Sequence, residues 1–286
     1  MRSLLNGFQS VGVIGVGVVG GAVRHYFESQ GVPPLLYDPA KRLGSLAEIN
    51  AAGLVFVCVP TPYAPGHGFD DSAVEQAIAP LRGSKTIVIK STVLPGTTRK
   101  FQERFPEHRV LFNPEFLRER SAVEDFLKPD RQIVGVCGDD REEAERLLKL
   151  LPPAPHTAVV PAEAAELTKY ATNAFLALKV TFANELYDLC AALGADYGLV
   201  KEGIAVDERI GASHLDVLDG GYRGYGGKCL PKDTMALLDL ADDLGVVLDL
   251  LKAAHGVNLR LNPPVPLRRR PELRSPARAE AESKVA

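Results

Sequence analysis

The sequence predicts an α/β chain, a doubly wound parallel sheet followed by an all-α central dimerisation domain, on three observations. Short β-branched runs alternate with helical stretches through the first half. A glycine-rich turn links the first run to the first helix, and past Pro155 the pattern gives way to long helical periodicity.

The runs, in order, are VGVIG at 11–15, PLLYD at 34–38, GLVFVCVP at 53–60, KTIVIKST at 85–92, RVLFNP at 109–114 and RQIVGV at 131–136. Strands covered by helices on both faces read as continuous apolar runs rather than alternating ones, which is why a parallel sheet is expected. Pro152, Pro153 and Pro155 then punctuate the chain, and no further strand–helix alternation is expected after them. From Pro161 to Leu193 apolar residues at Leu167, Ala171, Ala174, Phe175, Leu178, Phe182, Leu186, Leu189 and Leu193 recur in steps of three and four, one stripe of a single helix. At 1.5 Å per residue that helix is a rod about 50 Å long. Its length calls for a partner, so a homodimer through the 161–193 helix is expected. Gly194 ends it, shorter helices are expected near 196–207, 232–244 and 246–260, and a glycine-rich loop lies at 218–228.

Composition narrows the function. The chain has 286 residues, 46% of them hydrophobic and 24% charged, and its 33 basic side chains against 36 acidic ones give a net charge of −3. Such a balance argues against a nucleic-acid partner and for small-molecule chemistry. No apolar run reaches the length of a membrane span, so no membrane partner is expected. Cys58, Cys137, Cys190 and Cys229 form no C-x-x-C pair, and MRSLLNG has no apolar core of signal-peptide length, so a reduced, cytoplasmic protein without a metal site is expected. Residues 263–286 hold five prolines, six basic and three acidic side chains, and read as a disordered basic tail.

Gly15-x-Gly17-x-x-Gly20 follows the first strand and opens a helix. In that context the first glycine permits the tight turn, the second lets backbone approach a pyrophosphate, and the third allows close helix–strand packing. Asp38 ends the second strand, where a carboxylate accepts hydrogen bonds from a ribose 2′-hydroxyl, which favours NAD. Lys41 and Arg42 beside it leave a 2′-phosphate as the alternative. The expected organisation is thus an NAD-binding Rossmann domain at 1–155, a helical domain carrying a cysteine loop at 156–262, and the tail.

Three further stretches carry reactive side chains. In Gly226-Gly227-Lys228-Cys229-Leu230-Pro231-Lys232-Asp233 a cysteine leaves a glycine-rich loop and enters a helix through proline. A thiol there, beside Lys228 and Lys232, is expected to have a depressed pKa and to act as nucleophile. The other three cysteines, inside strand or helix patterns, read as small buried hydrophobes. Lys169 and Asn173 stand one turn apart on a helix face roughly opposite the apolar stripe, so they either reach one substrate together or are two solvated side chains. Asn113-Pro114-Glu115-Phe116-Leu117-Arg118-Glu119 lies at a strand end, the edge where open α/β sheets bind ligands.

These segments resemble the UDP-glucose/GDP-mannose dehydrogenase family. The motifs that carry the likeness are VGVIGVGVVG, VCVPTP at 57–62, KSTVLPGTT at 90–98, NPEFLRE at 113–119, ELTKYATNAFLALKVTFANEL at 166–186, RIG at 209–211 and GYGGKCLPKDT at 224–234, in the family's order. The resemblance implies NAD-dependent, four-electron oxidation of a nucleotide sugar's C6 alcohol to a carboxylate, with Cys229 forming a thiohemiacetal and then a thioester. By motif position it implies that Lys169 and Asn173 stabilise an oxyanion, that Asp233 acts with Lys169 as base or water orienter, and that Glu115 assists hydrolysis. It places Thr61, Thr92 and Lys232 near the cofactor and Glu119, Arg209 and Tyr225 near the substrate, and it too implies a homodimer. Members of the family continue into a second α/β domain that completes the nucleotide pocket, whereas this sequence offers after Asn258 only Leu-Arg-Leu-Asn and the proline-rich segment. Two other readings stand beside it: a two-electron β-hydroxyacid-type dehydrogenase, whose architecture lacks that domain, and a non-catalytic NAD-binding dimeric module.

Overall fold

Buried apolar runs set the order of the elements. A computed structural model describes residues 7–64 and 68–262, so the tail expected at 263–286 lies outside the described residues. Strand β1 (Val11–Ile14) leads into α1 (Val18–Ser29), β2 (Leu35–Tyr37), α2 (Leu46–Ile49) and β3 (Leu54–Val57). A small hairpin, β4 (Tyr63–Ala64) and β5 (Gly68–Phe69), precedes α3 (Ser72–Ile78), β6 (Thr86–Ile89) and α4 (Thr97–Arg104). Next come β7 (Arg109–Phe112), α5 (Ala122–Leu127), β8 (Arg131–Val136), α6 (Arg141–Leu150) and β9 (His156–Pro161). Four helices finish the described chain: α7 (Ala162–Leu193), α8 (Tyr197–Ala205), α9 (Leu230–Asp243) and α10 (Asp249–Leu261).

The main sheet runs β2-β1-β3-β6-β7-β8-β9 with helices on both faces, the doubly wound α/β fold expected. It is mixed rather than wholly parallel, because β7 and β8 pair antiparallel at Phe112 and Gly135. Every residue of β1, β3 and β6 is buried. One core layer joins Val13, Phe27, Phe56 and Leu147, and the opposite layer joins Ile14, Val57, Ile89 and Phe112.

Three readings of the sequence need correction. The sheet does not stop at the prolines: β9 pairs in parallel with β8 over its whole length. As an edge strand with exposed His156, Thr157 and Pro161, it needs no continuous apolar run, and the signal was absent for that reason. Helix boundaries also move. The α9 helix begins at Leu230, which puts Cys229 at its N-cap and Pro231 in its first turn, and α10 begins at Asp249.

The third correction concerns which side of α7 is buried. Lys169, Asn173, Ala177, Thr181 and Asn184 face the rest of the chain and are buried, whereas Phe175 and Phe182 of the apolar stripe are 63% and 60% exposed. Leu167, Leu189 and Leu193 are exposed with them. At its head α7 is joined to the start of α4 by Glu166, fully buried, whose carboxylate accepts from Gly96 N (2.7 Å), Thr98 N (2.8 Å) and Thr98 Oγ1 (2.6 Å). It thereby satisfies backbone donors that the first turn of α4 would otherwise leave without partners. Among the described residues no helix is long and apolar enough to cross a membrane.

Candidate active site

The glycine fingerprint sits between β1 and α1 as its spacing requires. Gly15 has φ +82°, and a Cβ there would lie 2.6 Å from the Cys58 carbonyl oxygen; a Cβ on Gly20 would lie 1.9 Å from the Gly15 oxygen. These two glycines are demanded by the chain's own packing. Gly17 is different: a Cβ there meets nothing within 4 Å. The open space above it is the cradle that close approach of a pyrophosphate to α1 needs.

Asp38 is buried beside this turn. Its Oδ2 accepts from Val16 N at 2.9 Å and its Oδ1 from Lys41 N at 3.2 Å, leaving lone pairs on both oxygens for ribose hydroxyls. The Lys41 ammonium donates to the Val16 carbonyl at 2.5 Å, so it is tied to the loop rather than held out for a 2′-phosphate. A groove of about 1090 Å³ opens alongside, lined by Val16, Val18 and Lys41 on one wall and by Glu119 and Arg120 on the other. Farther along the sheet edge Thr61 Oγ1 donates to the Thr92 carbonyl at 2.7 Å, joining the turns after β3 and β6.

Opposite the sheet edge, α7 and α9 bring the reactive groups together. Lys169 Nζ lies 3.0 Å from Glu115 Oε1, and Glu115 Oε2 accepts from Leu117 N at 2.8 Å. Asn173 Nδ2 donates to Asp233 Oδ2 at 2.6 Å, while Asp233 Oδ1 lies 2.6 Å from Lys232 Nζ. Lys169, Asn173 and Asp233 are all buried. Lys232 is also 6.0 Å from the Phe69 ring, so the β4–β5 hairpin borders this end of the cleft. The ion pairs are thus enclosed by protein and weakly screened.

The Cys229 thiol is reached by solvent at the cleft rim. Contrary to expectation its pKa is raised: the protein around it and the Asp233 carboxylate push it up, with Glu115 adding to them, against Lys169 and Lys232. The expected activation counted the flanking lysines and omitted the carboxylate in the first turn of α9. Lys228 does not contribute to that pull, because its ammonium lies 3.2 Å from Glu119 Oε1 across the mouth of the cleft.

Two predicted substrate residues lie elsewhere. Tyr225 is 2% exposed and packs against Ala177, Val180 and Leu230, with its hydroxyl 3.0 Å from His255 Nδ1, so it supports the loop instead of facing a ligand. Arg209 pairs with Asp207 at 2.6 Å at the surface, its side chain 89% exposed, and among the described residues no hydrogen bond or ion pair joins it to the cleft.

Sequence reasoning missed the layer beneath the cleft. Lys90 is buried and donates to Asn113 Oδ1 at 2.6 Å; burial brings its pKa down to about 8. Asn113 Nδ2 donates in turn to the Ile133 carbonyl at 2.8 Å, which fixes the strand end that carries Glu115. Phe116 lies between Arg131, 3.7 Å from its ring centre, and Lys169 at 5.7 Å. The charge of Lys90 directly after an apolar run was the available signal; nothing in the sequence marks Arg131.

Fold and site together define a dinucleotide-binding α/β protein whose helical half sets a cysteine, two lysines and a carboxylate against the cofactor edge of the sheet, where Glu115 meets Lys169. Comparison with known families agrees in both halves. Residues 37–152 match the NAD binding domain, and residues 163–260 the central domain, of the UDP-glucose/GDP-mannose dehydrogenase family. The chain belongs to that family, and NAD is its cofactor. It is 39% identical over 225 residues to UDP-glucose 6-dehydrogenase of Rhizobium meliloti, covering 73% of this chain and 51% of that protein. To UDP-glucose 6-dehydrogenase TuaD of Bacillus subtilis it is 36% identical, covering 73% and 47%. The chain spans about half the length of these curated relatives. Among solved structures, a UDP-glucose dehydrogenase from Pyrobaculum islandicum superposes with a TM-score of 0.78 at 35% identity, covering 88% of this chain and 68% of that one. A UDP-D-ManNAc dehydrogenase from Pyrococcus horikoshii, 21% identical over 88% of this chain and 69% of that one, shares the fold with the same TM-score of 0.78.

Proposed function

We propose that this chain is an NAD-dependent nucleotide-sugar 6-dehydrogenase that takes a C6 alcohol to the carboxylate, with UDP-glucose the first sugar to test because the relatives above carry that name. One observation carries the reading: Lys169 pairs with Glu115 at 3.0 Å and Asn173 with Asp233 at 2.6 Å, on the helix whose N-cap is Cys229, at the edge where the glycine turn would present a nicotinamide. The reaction needs two two-electron steps, and bound NAD would supply the hydride acceptor for each.

The residues of this chain divide the remaining work. Asp233, held by Asn173 and Lys232, orients a water or accepts the C6 hydroxyl proton together with Lys169. When the hydroxyl loses its proton, and again when thiolate adds to the aldehyde, the Lys169 ammonium and the second Nδ2 proton of Asn173 face the oxygen on which negative charge develops. The Cys229 thiolate adds to the aldehyde carbon; its tetrahedral adduct can lose a second hydride, which a free aldehyde cannot easily do. The thioester so formed is opened by water, with Glu115 taking the water's proton and the Cys229 sulfur leaving as thiolate. Each sugar consumes one water and releases three protons besides the two reduced cofactors.

The apolar stripe of α7, exposed at Phe175 and Phe182, supports a homodimer through this helix. Incubation of the purified chain with NAD and a panel of UDP- and GDP-sugars, followed at the NADH absorbance, tests the assignment. Two NADH per sugar and an acyl adduct on Cys229 in quenched mixtures are expected, and Cys229→Ala should form no acid. One NADH per substrate would indicate the two-electron dehydrogenase instead, and NAD binding with no turnover the non-catalytic module.

A further inference from the structure

The segment that delivers Cys229 is gripped far from the thiol. Asn258, buried on the last turns of α10, offers its amide to the backbone of Tyr225: Tyr225 N donates to Asn258 Oδ1 at 2.7 Å, and Asn258 Nδ2 donates to the Tyr225 carbonyl at 2.9 Å. One side chain thus plays the part of a neighbouring strand, with donor and acceptor each matched. Gly224 fits this grip closely. Its φ is +76°, and a Cβ there would lie 2.4 Å from Asn258 Oδ1.

A second hold comes from α7. Asn184, fully buried, accepts on Oδ1 from Arg223 Nε (3.0 Å) and Gly224 N (3.2 Å), and its carbonyl accepts from Arg223 Nη2 (2.9 Å). Arg223 Nη1 reaches Asp188 at 2.7 Å. Beyond Tyr225 the chain is loose in composition, Gly226 and Gly227, until Asp233 N donates to the Cys229 carbonyl at 2.8 Å as α9 begins. The thiol therefore hangs between two anchors, the helix start on one side and the Asn258–Asn184 grip on the other.

We infer that Asn258 is a positioning residue: by pairing with both backbone groups of Tyr225 it sets where Cys229 meets Lys169 and Asp233, so α10 serves the active site without entering it. The side chain's amide chemistry is essential to this. A carboxylate of the same size keeps the acceptor for Tyr225 N and loses the donor, presenting negative charge to the Tyr225 carbonyl. The inference borrows from the proposed function only the identity of the nucleophile.

Its test reads the thiol directly, without substrate. Alkylation of Cys229 by iodoacetamide is followed by mass spectrometry from pH 6 to 10 in the full chain, alongside Tm, for wild type, Asn258→Asp and Asn258→Ala. In the intact site burial, Asp233 and Glu115 hold the thiol pKa up against Lys169 and Lys232. Release of the loop should move the alkylation midpoint down toward an ordinary thiol and raise the rate at pH 7 several-fold. Gly224→Ala, which presses on the same grip from the opposite side, should do likewise. Leu251→Ala, a truncation of a buried α10 side chain outside the apolar cluster around Tyr225, should lower Tm and leave the midpoint in place. Under the proposed reaction Asn258→Asp should also cut kcat at least tenfold, with KM for NAD unchanged. An unmoved midpoint in both Asn258→Asp and Gly224→Ala, or an equal movement in Leu251→Ala, overturns the inference. A chain that oxidises no sugar yet shows the midpoint shift loses the proposed activity and keeps the grip.

Discussion

Asn173 Nδ2 and Asp233 Oδ2 meet at 2.6 Å, the closest tie between the long helix and the helix that carries the cysteine. Because Asp233 also neutralises Lys232, the bond decides the charge felt by the thiol as well as the packing of two helices.

That dependence gives a pH prediction with a definite sign. The Asp233 carboxylate disfavours the thiolate, so removing its charge must lower the Cys229 pKa. Asp233→Asn should therefore shift Cys229 alkylation to lower pH, giving more thiolate at neutral pH. Turnover should nonetheless fall by roughly a hundredfold or more, the usual contribution of a positioned acid–base group. Faster alkylation with undiminished turnover would remove Asp233 from the proposed chemistry.

The glycine turn predicts two different failures. At Gly20 an added methyl collides with the Gly15 carbonyl, so Gly20→Ala should cost a few kcal/mol of stability, about what overpacking costs in a filled core, before any ligand is added. At Gly17 the methyl meets no protein atom. Gly17→Ala should keep its Tm and lose affinity for NAD by about tenfold or more, about 1.4 kcal/mol. Calorimetric titration with NAD beside thermal melts separates the two.

Charge placed on the apolar stripe should disperse the proposed homodimer. Phe175→Glu with Phe182→Glu puts carboxylates where the side chains are already exposed, so the monomer's fold has no reason to suffer. Light scattering should show a halved mass with an unchanged far-UV spectrum. Wild type already at monomer mass would contradict the dimer outright.

Glu166 should be among the most sensitive positions in the chain. Glu166→Ala strands the Gly96 and Thr98 donors and opens a gap, and a loss of about 3–5 kcal/mol is expected from unsatisfied buried donors plus the cavity. Glu166→Gln, which keeps the volume, should lose less. Urea unfolding measures both.

Much of the fold was legible because buried strands leave apolar runs: VGVI, LVFV and TIVI are strands at the expected places. The edge strand at 156–161 was not, since half its surface faces water and its residues carry no period. For the site, the residues on one helix turn, Lys169 and Asn173, could be paired by spacing alone. Contacts between distant segments could not: no local pattern announces that Asn258 grips Tyr225 or that Arg131 lies against Phe116. The sign of the thiol shift was misjudged for a related reason. Lys228 looks adjacent in sequence, yet its ammonium turns to Glu119, while the Asp233 carboxylate, one helical turn away, acts on the thiol. Nor could periodicity say which side of α7 the chain itself would cover, since the face that carries Lys169 and Asn173 is also lined with Ala and Thr small enough to pack.

The clasp at the head of α7 also bears on how the molecule can be taken apart. A cut between sheet and helices, the obvious seam on a diagram, would leave one piece with bare amides at the start of α4 and the other with a carboxylate made for burial. Neither fragment would be a miniature of the part it came from. A cut at the exposed turn near Gly245 would leave that joint whole and break the Asn258 hold on Tyr225 instead.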